Sequence, residues 1–233
     1  MKRFNMPRPE FSDEITSICL REMDRLEIEA DVLKKEQKVQ LKALIEEVET
    51  IGIPKKFVLK KLPKKLGSGL FLHPEASSMK KGDVIGCYAG KVSFGVQNLY
   101  ESGGSYVFSP LSDLHLTKEE QKKYDSKRKF HPSRLYYLRI DAEKEGNYTR
   151  YINHSSDPNI EAQLTHVKGD GLKESFFEII YLVKKTIHPQ EQLLVSYEDG
   201  EDCYWKAMGI QPFSIFPTTF MINQNLEVIT SKN

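Results

Sequence analysis

An α+β chain, mainly β beyond an N-terminal helical region, is what three features of the sequence predict. From about Ser12 to Thr50 there is no proline and no glycine, and apolar residues recur at spacings of three and four. After Pro63 the texture changes to short β-like runs with turn residues between them. No internal repeat appears, and no Gly-rich strand-to-helix element supports a dinucleotide or nucleotide fold. The 233 residues suffice for one sizeable domain plus an appendage, and 39% hydrophobic content supports a real core. The expected divisions are a helical region at 1–54, a β domain at 55–205 with a helical insert at about 111–135, and a C-terminal segment at 206–233.

Pro7 and Pro9 close a short leader. Asp13 and Glu14 then stand where a helix's first turn favours negative charge. Ile15, Cys19, Met23, Leu26, Ala30 and Leu33 form a stripe, which Leu41, Leu44, Val48 and Ile51 resume after a slip at Gln37. This reads as one long helix or two in a hairpin, serving either as a coiled-coil arm that makes a homodimer or as a layer packed on the following domain. Gly52 and Pro54 end it. Lys55 to Lys65 carries six lysines in eleven residues. That run allows a nuclear address or an anionic-partner patch, with a solvated strand or linker as the default.

Strands are expected at Gly69–Leu72, Asp83–Ala89, Ser105–Phe108, Leu135–Asp141, Ser175–Val183 and Gln192–Tyr197. One helix interrupts them, because Thr117 and Glu120 make a capping box that opens Lys118 to about Asp125.

Charge and cysteine content remove several classes of function. The net charge is +1, so no global basic field marks a bulk nucleic-acid binder, and no direct nucleic-acid binding is expected. Cys19, Cys87 and Cys203 lie far apart, which argues against a zinc cluster and a disulfide framework and fits a reducing compartment; no metal is expected. There is no bilayer-length apolar run, and Met1–Asn5 lacks the apolar core of a signal peptide. A soluble intracellular protein is expected, with export by a route using no cleaved signal left open.

The most unusual stretch runs from Gly146 to Asn159. Only Tyr148, Tyr151 and Ile152 in it are large and apolar or aromatic. Arg150, Asn153 and His154 bring a rigid fork, an amide and two distinct ring nitrogens close together, which suits a buried polar ligand with many hydrogen-bonding edges. Ser155, Ser156, Asp157 and Pro158 are equally good turn chemistry.

Four segments decide between these readings. They are Leu66-Gly67-Ser68-Gly69-Leu70-Phe71, Ile85 to Gly90 with Tyr88, Ile140 to Asn159, and Ile187 to Tyr197 with Glu191 and Leu193. In this order and spacing they closely resemble the SET domain of protein lysine methyltransferases, over about Lys65 to Trp205. The resemblance implies a β-clip of small sheets with a threaded C-terminal segment. It also implies an S-adenosylmethionine pocket on one side and a narrow lysine channel on the other. Gly67, Ser68 and Gly69 would then bring backbone close to the cofactor. Tyr106 and Asn153 would contact its methionine part, His154 its adenine edge largely through backbone, and Arg150 would stand near the pocket wall. Tyr88 and Tyr197 would line the channel, with Tyr197 the catalytic tyrosine by position.

The chain departs from the family at three residues. Ser156 stands where many members have a zinc-cluster cysteine, so it resembles the short, zinc-free members. Val195 holds a place often taken by Phe or Tyr that limits methyl number. Gln190 replaces a usual glycine. Phe213, Phe216 and Phe220 are candidates to close the channel or to pack a core. Beyond Tyr197, the acids Glu198, Asp199, Glu201 and Asp202 form either a rim that attracts a basic tail or a solvated turn. The expectation is an S-adenosylmethionine-dependent lysine methyltransferase of a histone-like basic protein. An inactive SET-fold binding module and a methyltransferase of a non-chromatin protein are the alternatives.

Overall fold

The computed structural model describes residues 5–62, 67–97, 106–167 and 175–197. Helix α1 (Asp13–Leu26) opens at Ser12, whose hydroxyl accepts the Ile15 N–H at 3.2 Å, and it stops at Glu27, which turns to φ 55°. A two-residue strand β1 (Asp31–Val32) follows, and then helix α2 (Lys35–Ile51). The region is therefore neither one long helix nor a plain hairpin. Gln37, where the apolar stripe slips, lies in the first turn of α2: its side-chain oxygen accepts the Lys34 N–H at 3.0 Å and its amide donates to the Gly82 carbonyl at 2.9 Å.

The slip has a packing cause, because the two halves of the stripe serve two cores. Ile15, Ile18, Cys19 and Met23 pack with Val96, Leu111, Leu114, Tyr136 and Leu138. Leu33, Leu41, Leu44 and Val48 pack with Phe57, Leu70, Ile85, Ile140 and Tyr181. Of the two expected roles, the packed layer is the one found. Most of the stripe is covered by the chain's own strands, while Ile51 is exposed. The change of texture near residue 55 is thus a change of secondary structure inside a shared core.

The strands among the described residues form four small sheets. Strands β4 (Val84–Cys87), β10 (Ile160–Val167) and β11 (Ser175–Val183) join β1 in the order β1-β10-β11-β4, with only β1 parallel to its neighbour. Strand β2 (Phe57–Lys61) pairs with β3 (Ser68–Leu72). The long β8 (Leu135–Gly146) pairs with β5 (Gly90–Val96), β6 (Val107–Phe108) and β7 (Leu114–His115), burying Tyr136, Leu138, Ile140 and Ala142 at every second position. Strands β9 (Asn153–His154) and β12 (Leu194–Val195) run parallel. In the insert, α3 (Lys118–Tyr124) carries the expected capping box, with the Glu120 N–H donating to the Thr117 hydroxyl at 3.2 Å and the Thr117 N–H to the Glu120 carboxylate at 2.8 Å. No helix among the described residues is long and apolar enough to cross a membrane.

Two expectations need correction. Strands β5 and β10 were not anticipated, although Val92, Phe94 and Val96 alternate within β5. Within the lysine run Phe57–Lys61 form a strand, β2, and it is not wholly solvated: Lys55 and Lys61 are exposed, but Lys56 and Lys60 are not, and Lys64 and Lys65 lie outside the described residues. Lys60 is only 7% exposed with its ammonium 5.2 Å from the Phe71 ring centroid, and Lys56 donates to the Val84 carbonyl at 3.2 Å. Burial pushes both ammonium groups below their ordinary range. A hairpin strand packed on both faces leaves those stems no other place.

Candidate active site

The stretch from Gly146 to Asn159 divides its polar residues between two tasks. The first task is to fasten the stretch. The Asn147 amide donates to the Cys87 carbonyl at 2.9 Å while its oxygen accepts the Thr149 N–H at 3.0 Å. The Tyr148 hydroxyl donates to the Ile85 carbonyl at 2.5 Å. These bonds clamp a 3-10 turn, Tyr148–Tyr151, onto β4. Asn159 does the same for β12: its side-chain oxygen accepts the Leu194 N–H and its amide donates to the Gln192 carbonyl, both at 2.8 Å.

The second task falls to Arg150, Asn153 and His154. The Arg150 guanidinium lies 3.8 Å from the Tyr106 ring centroid and also donates to the Glu143 carbonyl at 3.3 Å, so it is a wall held by a cation–π contact. The Asn153 amide donates to the Ser68 carbonyl at 3.2 Å. That bond orients the amide, since the flipped form would set two acceptors against each other. The Asn153 oxygen is left as an acceptor, suited to a ligand ammonium. The His154 ring is buried, and its Nδ1 accepts the Tyr197 N–H at 2.9 Å, which places the ring proton on Nε2. His154 therefore uses its ring to seat Tyr197, while its backbone stands in register with Val195 of β12.

Tyr88 and Tyr197 share a geometry. The Tyr88 hydroxyl donates to the Tyr106 carbonyl and the Tyr197 hydroxyl to the Ile152 carbonyl, each at 2.5 Å. Each phenol proton is thereby committed, and each phenol oxygen keeps lone pairs for another donor. Tyr88 is 6% exposed. Burial, and after it the nearby Tyr197 phenol, raise its pKa well above the usual tyrosine range, so it stays a neutral hydroxyl. Phe108 (ring centroids 5.5 Å) and Tyr181 (6.2 Å, edge-on) complete the aromatic surround of Tyr88.

The glycine pair behaves unevenly. Gly67 sits at φ 74° with open space where a side chain would project. At Gly69 the reason for glycine is internal: an added Cβ would stand 2.6 Å from the Gln192 amide nitrogen. Ser68 contributes the carbonyl that holds Asn153. The open approach at Gly67, the Asn153 acceptor and the Arg150-backed Tyr106 ring are a donor and acceptor set that fits a zwitterionic, adenosine-bearing cofactor. Val195 is buried in β12, and Gln190 adopts φ 71°, a conformation that glycine takes at no cost. Ser156 is exposed beside the Ser155–Asp157 turn. Glu198, Asp199, Glu201, Asp202, Phe213, Phe216 and Phe220 lie outside the described residues.

Two residues at the site escaped the sequence reading as contributors. Asn159 was visible inside its motif, but its stapling of β12 was not. Tyr181 lies in an unbroken apolar run of β11, where nothing local separates a channel tyrosine from a core one.

Several known proteins resemble parts of this chain. A segment of 74 residues, 29% of this chain, is 40% identical to the histone-lysine N-methyltransferase Set2 of Drosophila melanogaster, of which it spans 3%. Among solved structures, one described as ctPRC2 in an autoinhibited conformation bound to S-adenosylmethionine is 24% identical, with a TM-score of 0.40 over 72% of this chain and 17% of the other. A crystal structure of an active polycomb repressive complex 2 in the stimulated state is 24% identical, with a TM-score of 0.39 over 66% of this chain and 16% of the other. The SET domain family model matches residues 26–198, which include α2 and every strand that carries the site. On that match the chain belongs to the SET-domain family, whose methyltransferases use S-adenosylmethionine.

Proposed function

We propose that this chain is a protein lysine N-methyltransferase that binds S-adenosylmethionine and acts on a basic, histone-like protein. The observation that carries this reading is the pairing of Tyr88 and Tyr197. Two phenols from distant segments have both protons tied to backbone carbonyls, so both oxygens are acceptors beside the Asn153–His154 strand. A lysine amine entering between them finds hydrogen-bond acceptors and aromatic walls, and little water.

Each residue then has a task. S-adenosylmethionine supplies an activated methyl group. The amine must be neutral to attack, and its reference pKa is about 10.4. Burial among the aromatic walls disfavours the ammonium and releases its proton to solvent. The Tyr197 and Tyr88 oxygens accept N–H bonds and so aim the remaining lone pair, and positioning of this kind supplies much of the rate. The Asn153 oxygen holds the cofactor's ammonium, Gly67 admits its approach, and Arg150 stiffens Tyr106 against it. His154 keeps Tyr197 in register. The acids that follow Tyr197 in the sequence favour a Lys/Arg-rich tail as substrate.

The test is transfer of labelled methyl from S-adenosylmethionine to purified core histones and to whole-cell protein, with mass spectrometry of the products. Methyl-lysine on histones is expected. Labelling confined to other proteins moves the substrate away from chromatin. Cofactor binding with no transfer to either sample overturns the enzymatic reading and leaves a binding module.

A further inference from the structure

We propose that Tyr181 is a third tyrosine of the lysine channel and limits how many methyl groups the bound amine carries. This inference rests on the reading of the site as a lysine channel.

Tyr181 sits on β11, in register with Gly86 of β4, and the Tyr88 N–H donates to the Ile179 carbonyl of the same strand at 2.9 Å. Its ring meets Tyr88 edge-on, with centroids 6.2 Å apart and planes at 82°. It is 2% exposed. The other buried phenols all donate to the chain: Tyr148 to Ile85, Tyr88 to Tyr106, and Tyr136 to Asp125. Tyr181 alone among these makes no hydrogen bond with the described residues. Its oxygen is not one of the fully buried side-chain atoms left without a partner, so it is not sealed in the core, and a ligand or water can reach it. Burial first, then the neighbouring phenols of Tyr88 and Tyr197, keep Tyr181 protonated by pushing its pKa well above the ordinary range.

The chemistry follows from counting donors and volume. Each methyl transfer replaces one amine N–H by a CH₃, so the product has one donor fewer and more bulk. A channel with a third hydroxyl favours the amine with more N–H groups and crowds the more methylated one. Val195, although small, does not then make the channel permissive, because the restriction comes from β11.

Tyr181→Phe removes the hydroxyl and keeps the ring. Two measurements on the full chain decide. In the first, n-butylamine is titrated into protein loaded with S-adenosylhomocysteine. The variant is expected to bind it about 2- to 10-fold more weakly, the equivalent of one hydrogen bond. In the second, mass spectrometry follows the methyl number on core histones. The variant is expected to move the product towards higher methylation, with cofactor affinity unchanged. Equal amine affinity and an identical product distribution overturn the role of Tyr181 while leaving the methyltransferase reading standing. A wild-type chain that neither binds the amine nor transfers methyl overturns both.

Discussion

The two cores of this molecule are fastened by different chemistry. Under α1, the insert is tied down by charge. Glu22 accepts from Arg25 at 2.9 Å, from Arg21 at 3.0 Å and from the His115 N–H at 2.7 Å, and Arg21 also grips Glu120 at 2.8 Å. Under α2, the site is tied down by neutral bonds from phenols and amides to backbone carbonyls. Tyr148, Asn147, Tyr88, Tyr197 and Asn159 all work this way. Charged fastenings respond to pH and salt, whereas neutral ones do not. The side proposed to hold an amine and a cofactor is built mainly from neutral bonds, the buried Arg8–Glu178 pair on β11 apart. The insert is held mainly by charged ones, which proton concentration can undo.

The sharpest way to break this comparison is to cut one neutral bond at the site. Tyr197→Phe deletes the acceptor and its tie to Ile152, and should lower methyl-transfer turnover by about 10²-fold or more, as for other positioned groups. Calorimetry should show cofactor affinity within a few-fold. Unchanged turnover would remove Tyr197 from the chemistry. Next in size is Asn153→Ala. Loss of a hydrogen bond to a charged group should weaken S-adenosylmethionine binding by roughly 1.5–3 kcal/mol, with the melting temperature little changed.

The charged side should respond in the opposite way. Glu22→Ala leaves the His115 N–H and two guanidinium groups without their shared partner. It should cost about 1–3 kcal/mol in denaturant unfolding while turnover per folded molecule holds. A loss of turnover greater than the loss of folded protein would mean that the two regions are not independent.

Acid should act on the same network. Burial alone would raise the Glu22 carboxyl, but the His115 N–H, Arg25 and Arg21 outweigh it and hold the pKa below the usual value. At Glu120 burial likewise opposes, and Arg21 and Thr117 together outweigh it. Depressed carboxylates contribute fully above the unfolded value of about 4.3, and the contribution disappears as pH falls through the lower folded values. Thermal stability should therefore drop below about pH 4.5, and Glu22→Gln should flatten that drop. A wild-type slope in the variant would assign acid lability elsewhere. The smallest effect is expected at Gln190, held at φ 71°. Glycine there relieves left-handed strain of about 1–2 kcal/mol and gives back about 0.4–1 to unfolded-chain entropy, for a net gain of about 0–1.6 kcal/mol in unfolding free energy.

Some features could be read in the chain itself, because their cause is local. Thr117 and Glu120 cap a helix by reaching across three residues, Ser175–Val183 is a strand by its own composition, and the motif Gly146–Asn159 names its family by residue order. The slip at Gln37 was legible, but its reason was not, because a periodic stripe does not say that its halves face two different cores. The lysines of β2 likewise carry nothing local that distinguishes a packed strand from a solvated one. The site is the extreme case. Asn153 and Tyr197 were identifiable as candidates, yet the bonds that give them their tasks join residues far apart: Tyr197 to His154 and Ile152, Asn153 to Ser68, Tyr88 to Tyr106. Tyr181 looks like any core aromatic of β11 until β4 brings Tyr88 against it. Propensity and motif act within a few residues, whereas the direction of a hydroxyl proton depends on which carbonyl the folded chain puts in reach, and that was decided only when the strands closed on one another.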